Sequence, residues 1–242
     1  YPAPQAGSTA PATFAGTVVQ ASAESLSGLV LAQLVRPGAP FIYGAFATVM
    51  DMSTTIFSYG APEMSLMVAA LAKMAQHYRL PYFGTAGCSD AKFPDPQAAA
   101  EATFSCFSSA LTGANLVHDS GWLDHGSVAS PAYMVLVNEI LDMVNGYVKG
   151  MPVNAETLAQ DVIDHVGPGG HYLQEDHTLK HFREVWYSRL FDRSIHAQWL
   201  KQGGKRFEER LREQTRRAME HEPAPLPAKV IKELDQMAKH WK

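Results

Sequence analysis

Along the first 150 positions one arrangement of apolar and polar residues repeats. A short apolar run is followed by a small, polar turn, and then by a longer stretch whose apolar positions fall three and four apart. The alternation of a short run with a helical period predicts strand, turn and helix in that order. In the first copy the turn is Gln5-Ala6-Gly7-Ser8, and the helix runs from about Pro11 to Val35. In the second, Phe41-Ile42-Tyr43 is the strand and the turn contains Asp51. Its helix opens at Pro62 and carries Met64, Met67, Val68, Leu71 and Met74 on one face. The third strand is Pro81-Tyr82-Phe83, its turn is the loop Gly84 to Asp95, and its helix covers about Pro96 to Leu111. The fourth strand is Asn115 to Asp119, its turn Ser120 to Ala129, and its helix Pro131 to about Val148.

After Gly150 the strand-like runs stop. Helical periods are expected at about 154–166, 174–190, 204–221 and 228–241, with a break at Glu222-Pro-Ala-Pro-Leu-Pro227 that reads as a linker. Strands alternating with helices predict βαβ units on a parallel sheet, an α/β fold. The helices are long, and the polar residues sit at the C-terminal ends of the strands. That arrangement suits the TIM-barrel type, the (β/α)8 barrel, whose site is built from the loops after the strands. Only four units are present, so residues 1–150 read as half a barrel, 151–222 as a helical extension packing on it, and 223–242 as linker and terminal helix. Half a barrel has two open sheet edges, which predicts poor solubility or a homo-oligomer. The chain begins with Tyr1 inside the first unit, as a piece of a longer protein would.

Composition narrows the class without naming a function. With 46% hydrophobic and 18% charged residues the chain can bury a sizeable core. Its net charge of −4 gives no reason to expect a nucleic-acid or membrane partner. Residues 201–242 hold eleven Lys and Arg against seven Asp and Glu, so residues 1–200 carry −8. The basic tail reads as a solvated helical face. Two cysteines, Cys88 and Cys106, are too few for a disulfide framework or a zinc site, and point to a reducing, cytoplasmic compartment. No uninterrupted apolar run reaches the length of about 18 residues that spans a bilayer, and no signal peptide is evident.

The candidate chemistry lies in the turns. In a parallel α/β protein the strand-to-helix loops gather on one rim, which brings Asp51, Asp90, Lys92, His118 and Asp119 toward one another. Asp95 differs, because directly before Pro96 it is placed as a helix N-cap. His118-Asp119 is a pair suited to acid–base work or to orienting a ligand, though a lone histidine at a strand end is more often a satisfied core residue. Tyr43, Phe46, Tyr59, Phe83 and Trp122 are candidate aromatic walls, and aromatic faces attract cations, quaternary ammonium above all. Gly167-Pro-Gly-Gly-His171 lacks the lysine of a phosphate loop. His177 and His181, one helical turn apart, have no accompanying HExxH glutamate and read as surface or interface residues. Lys92 leaves open a Schiff-base barrel enzyme such as an aldolase. A non-catalytic half-barrel that completes another chain remains a further alternative.

The stretches AGSTAPATFAGTVVQASAESLSGLVLAQLVRPGAPFIYG, GCSDAKFPDPQAAAEA, GANLVHDSGWLDHG and HYLQEDHTLKHFR together resemble the trimethylamine methyltransferase superfamily. The resemblance extends from Pro4 to about Arg193, with its motifs in order. It implies the C-terminal half of a (β/α)8 barrel that moves a methyl group from a methylamine, or from a quaternary amine such as a betaine, to the Co(I) of a corrinoid. The corrinoid is supplied by a partner protein that docks over the barrel mouth, so no tightly bound cofactor and no resident metal are expected. In that frame Asp90, His118 and Asp119 are the expected catalytic group. Tyr43, Asp51, Lys92 and Trp122 are expected to hold the substrate, with the aspartates supplying a negative field and Lys92 or His118 meeting a substrate carboxylate.

Overall fold

The computed structural model describes residues 1–241. In chain order the elements are β1 (Gln5–Ala6), α1 (Phe14–Val35), β2 (Tyr43–Gly44), β3 (Thr48–Asp51), β4 (Ile56–Ser58), α2 (Pro62–Tyr78), β5 (Tyr82–Thr85), α3 (Pro96–Thr112), β6 (Leu116–His118), β7 (Trp122–Leu123), β8 (Val128–Ala129) and α4 (Pro131–Val148). There follow α5 (Ala155–Leu158), α6 (Gln160–Val166), α7 (Asp176–His181), α8 (His196–Lys201), α9 (Phe207–Met219) and α10 (Ala228–His240).

The repeated units pair in parallel and in sequence order. β1 pairs with β3 in the register Gln5 to Thr48, β2 with β5 (Tyr43 to Tyr82), and β5 with β6 (Phe83 to Leu116). The segment from Tyr43 to Asp51 is one interrupted strand. It donates to Pro81 O from Tyr43, to Pro2 O from Phe46 and to Pro4 O from Thr48. The protein is thus a mixed α/β fold whose strands form two three-stranded sheets, β1-β3-β4 and β2-β5-β6, and the two-stranded β7-β8, and no closed barrel forms among the described residues. Helices α1 to α4 pack each against the next.

The helix boundaries follow local chemistry. Asp95 caps α3 as expected, accepting from Ala98 N at 3.0 Å with Pro96 at the first helical position. Ser130 caps α4 in the same way, accepting from Tyr133 N. Gly113, at φ +75, ends α3 in the left-handed conformation that glycine adopts at no steric cost. Two apolar clusters fill the layer beneath. One joins Met67, Val68 and Leu71 of α2 to Ala21 of α1 and to Tyr43 and Tyr82 of the sheet. The other joins Ala98, Ala102 and Cys106 of α3 to Leu136, Val137, Ile140 and Val144 of α4, and reaches Leu211 of α9.

Four expectations are corrected. The turn containing Asp51 is an antiparallel hairpin, β3–β4, with Val49 opposite Ser58. The turn Ser120 to Ala129 holds a second hairpin, β7–β8. The helix expected at 154–166 breaks at Ala159, which takes a left-handed φ of 49°. The helix expected at 174–190 ends in a 3-10 turn at Phe182–Glu184, and residues 185–195 form an irregular loop. The last break has a clear cause in Glu139 of α4. This buried carboxylate accepts from Ser188 Oγ, Arg189 N (2.8 Å) and Leu190 N (3.2 Å), so the backbone there is bonded to α4 rather than to its own helix.

Helix α1, of 22 residues and mean hydropathy 1.3, is long and apolar enough to cross a membrane by length and composition, although polar residues such as Gln20 and Glu24 interrupt its apolar run. Its inner face is nevertheless part of the fold. Thr17, Ala21, Ser22 and Ser25 are buried, and Ser22 Oγ accepts from the Tyr43 hydroxyl at 2.7 Å.

Candidate functional site

The candidate site is assembled where β5 and β6 end, because their parallel ladder does not stop with the strands. Ala86 N donates to His118 O, Gly121 N to Gly87 O, Ser89 N to Trp122 O and Asp124 N to Ala91 O, at 3.0 to 3.2 Å. These bonds lay the β7–β8 hairpin alongside the loop of residues 86–91. Gly87, at φ +77, lies where a Cβ would come within 2.8 Å of Val137 and 2.9 Å of Ser120 Oγ, so the close approach of the two loops requires glycine.

The ladder brings Asp90 to His125 and Lys92 to Asp124. Asp90 is encircled by donors. Its carboxylate accepts from Ser58 Oγ, from Tyr59 N at 2.7 Å and from Gly60 N at 3.1 Å, and His125 Nδ1 lies 3.0 Å away. This carboxylate therefore ties the end of β4 and the start of α2 to the loop after β5. Behind it, Glu101 of α3 accepts from Ser89 Oγ at 2.5 Å, from Asp90 N at 2.9 Å and from Gln97 Nε2 at 2.8 Å.

A second carboxylate–imidazole pair stands beside the first. His118 Nδ1 is 2.7 Å from Asp119 Oδ1, its Nε2 is 3.0 Å from the Tyr1 hydroxyl and 3.2 Å from Thr85 Oγ1, and its ring lies 4.4 Å from that of Phe83. Asp119 holds a left-handed φ of 74°, which turns it back toward its neighbour. Burial, with the Asp119 charge adding to it, pushes the Tyr1 hydroxyl up to about 12. The Tyr59 hydroxyl is raised further, by burial first and then by the Asp119 carboxylate.

Aromatic rings wall this space. Tyr59 lies 5.2 Å from Phe46 and 5.3 Å from Phe57, both edge to face, and Phe57 is 6.0 Å from the His125 ring. Carboxylates outnumber fixed cations here. Asp90, Glu101, Asp119 and Asp124 face a single lysine, Lys92, whose Nζ is taken by Asp124 at 3.1 Å and by the Asp90 carbonyl at 2.8 Å. Among the described residues no group of three or more His, Cys, Asp or Glu has the arrangement of a metal site. The combination of negative field and aromatic faces is complementary to an organic cation.

The family model described as Trimethylamine methyltransferase (MTTB) matches residues 1–241. The chain belongs to the trimethylamine methyltransferase family. It is 42% identical over 225 residues to the trimethylamine methyltransferase MttB of Desulfitobacterium hafniense (strain DSM 10664 / DCB-2), covering 93% of this chain and 45% of that protein. It is 37% identical over 229 residues to MttB2 of Methanosarcina mazei, covering 94% and 46%. It is 40% identical over 199 residues to the glycine betaine methyltransferase of Desulfitobacterium hafniense (strain Y51), covering 81% and 42%. The chain spans about half the length of the curated relatives it matches.

Within this methyltransferase-family chain the expected residues do not all come together. Asp90, Lys92, His118 and Asp119 lie at the strand ends, on the two adjoining loops joined by the ladder. Asp51 does not join them. It sits at the outer end of the β3–β4 hairpin opposite Ile56, and its carboxylate is taken by Ser53 N and Oγ, both at 2.7 Å, which holds its pKa below the ordinary aspartate value. Tyr43 is in the core with no exposed surface, its hydroxyl spent on Ser22 of α1, so it faces the helix layer and not the rim. Trp122 contributes its backbone to the ladder while its ring is partly exposed in the β7–β8 hairpin. Lys92 has a side chain 59% exposed and paired, which removes the buried lysine that a Schiff-base enzyme needs.

Three residues of the family chain escaped the sequence reading: Tyr1, Glu101 and His125. Glu101 is a polar position on an Ala-rich helix and carries no motif of its own. His125 sits in a loop at a left-handed φ of 53°, and only the backbone ladder reveals that it faces Asp90. The GWLDHG stretch, with its glycines at φ +94 and +83, carries the one legible signal of a tightly turned hairpin there.

Proposed function

We propose that this chain forms the C-terminal half of a (β/α)8-type methyltransferase, which removes a methyl group from a small methylated amine. The observation that carries the reading is the joint presence of an aromatic cluster (Phe46, Phe57, Tyr59) on and beside the β3–β4 hairpin and of the Asp90 and Asp119 carboxylates after the parallel strands β5 and β6. The similar proteins are named for trimethylamine and glycine betaine, the first a cation when protonated and the second a quaternary ammonium. The rim residues fit that cation. A corrinoid carried by a partner protein would supply Co(I) as the methyl acceptor.

The chain's own part is binding and orientation. Aromatic faces and carboxylates hold the ammonium group, each cation–π contact contributing about 0.5–2 kcal/mol depending on desolvation. Fixing one methyl in line with the acceptor removes much of the entropic barrier to displacement. When the C–N bond breaks, its electron pair stays on nitrogen and the amine leaves neutral, so a quaternary substrate needs no strong general acid. For a tertiary amine, which needs a proton on its nitrogen, the contacts of Tyr1, His118 and Asp119 support a role for these three as the group that supplies it.

The experiment is a panel of methylamines and betaines incubated with the protein as its gene encodes it, its native corrinoid partner and a reductant. The readout is loss of the Co(I) absorbance together with appearance of the demethylated amine. Asp119→Asn and His118→Ala are expected to lower kcat/KM by at least tenfold while leaving the melting temperature within a few degrees. No turnover of any amine by a well-folded protein overturns the assignment.

A further inference from the structure

We propose that Glu101 is a positioning residue for amine binding, a role that rests on the methyltransferase reading. It acts through Asp90 on the aromatic turn Phe57-Ser58-Tyr59-Gly60, and touches no part of the substrate itself.

The argument starts from two carboxylates placed on either side of one residue. The side chain of Asp90 reaches forward and takes Ser58 Oγ, Tyr59 N and Gly60 N. The backbone N–H of Asp90 points the other way, into Glu101 Oε2 at 2.9 Å, beside the Ser89 hydroxyl at 2.5 Å. Glu101 thus fixes the backbone from which the Asp90 side chain springs. A Cβ at Gly60 would come within 2.3 to 2.6 Å of the Glu101 carboxyl atoms, so glycine is needed where Asp90 holds the turn over this carboxylate.

The consequence runs along a short chain of contacts. Glu101 is part of α3, a 17-residue helix with a capped start, and helices of that kind are the rigid parts of a scaffold. Ser89 and Asp90 are hung on it. Asp90 in turn holds the N–H groups of residues 59 and 60, and residue 59 carries the ring that meets Phe46 and Phe57. A carboxylate accepting these bonds is charge-assisted at both steps, which makes each step stronger than a neutral pair. Removing Glu101 leaves the Ser89 hydroxyl and the Asp90 N–H seeking other acceptors, and releases the tilt of the Tyr59 turn.

Glutamine at 101 keeps the clamp. Its carbonyl oxygen can face Ser89 and Asp90 while its amide faces Gln97, whose own exposed amide can rotate to accept.

The test compares Glu101→Ala, Glu101→Gln, Asp90→Ala and the Asp90→Ala/Glu101→Ala pair in the protein as its gene encodes it. Two readouts are taken. In steady-state turnover, Glu101→Ala is expected to raise KM for the amine about tenfold, the loss of one hydrogen bond to a charged group, with kcat falling less than threefold. Glu101→Gln is expected to restore KM to near the wild-type value. The double variant is expected to raise KM no further than Asp90→Ala alone, because both act along one path. In amide hydrogen exchange, which needs no turnover, Glu101→Ala is expected to speed exchange at Tyr59, Gly60 and Asp90 at least tenfold without changing α4. If Glu101→Ala does not fold, Ser89→Ala removes the other end of the clamp and carries the same expectations. A protein that folds but turns over no amine defeats the methyltransferase reading, while the exchange measurement still decides the clamp. Unchanged exchange at Tyr59 and Gly60 overturns the proposal, and so do additive KM effects in the double variant.

Discussion

Replacing Glu139 with leucine tests the reasoning about buried polar groups most directly. Glu139 is 4% exposed and accepts from two backbone donors, Arg189 N and Leu190 N, that no helix or strand satisfies. It shares the Ser188 hydroxyl with them. Leucine fills similar volume but accepts nothing. The Leu190 N–H is buried and can fall back only on Ser188 Oγ at 3.1 Å, while the exposed Arg189 N–H can turn to water. With each stranded buried donor costing about 1–3 kcal/mol, and one of the three partly rescued by water, the expected loss is about 3 kcal/mol. For a chain of this size that lowers Tm by roughly 6–12 °C. Glutamine retains one carbonyl acceptor and should cost about 1 kcal/mol.

The damage should also be local before it is global. Arg210 of α9 donates to the Leu190 carbonyl at 3.0 Å, so loosening residues 188–191 unfastens α9 from α4. Differential scanning calorimetry gives the magnitude, and limited proteolysis should find new cleavage within 185–195. Glu139→Leu within 0.5 kcal/mol of wild type, or Glu139→Gln as harmful as Glu139→Leu, would refute the assignment of those backbone groups to this carboxylate.

Other outcomes follow from the same contacts. Asp95→Ala removes the acceptor of Ala98 N and should cost about 1 kcal/mol in denaturant unfolding with little change in amine turnover. Gly60→Ala drives a Cβ into the Glu101 carboxylate and should raise KM for the amine as Glu101→Ala does, with wild-type KM counting against the close contact. Cys88 and Cys106 are both buried, and burial raises both thiols, so neither should react with a disulfide reagent at pH 8 until denaturant is added. Burial pushes Cys106 from 9 up to about 12, so the folded state keeps a proton that the unfolded chain releases. Its contribution to stability is therefore whole below pH 9 and lost as pH rises from 9 to 12, which a Tm series against Cys106→Ala should show as a shallower alkaline decline in the variant.

What the sequence made legible was local or periodic. Pro62, Pro96 and Pro131 each open a helix at the expected position, and Asp95 caps as its place before a proline dictates, because these signals depend on a few adjacent residues. The parallel order of the units was legible for the same reason. The hairpins β3–β4 and β7–β8 were not. Each is two to four residues per strand, too short for a period of two to register, and each is held by a neighbouring loop more than by its own pattern.

That difference decides how the site residues could be read. His118 and Asp119 are adjacent in sequence, so their pairing could be anticipated, whereas the contact between Asp90 and His125 depends on four backbone bonds across two loops. An aspartate after a strand looks like a catalytic group in a linear reading. In the folded chain its carboxylate is filled by Ser58, Tyr59 and Gly60, donors supplied by a hairpin the linear reading did not contain. A carboxylate so occupied has little remaining capacity to coordinate a substrate directly. Under the proposed function Asp90 serves an amine cation through its negative field and through the ring it holds in place, and Asp119, with one oxygen against His118, is the carboxylate left with the freer face. On the same proposal the direct chemical role falls to the His118–Asp119 pair, and the architectural role to Asp90 and Glu101. Substitutions at the first pair should act on kcat, and at the second on KM.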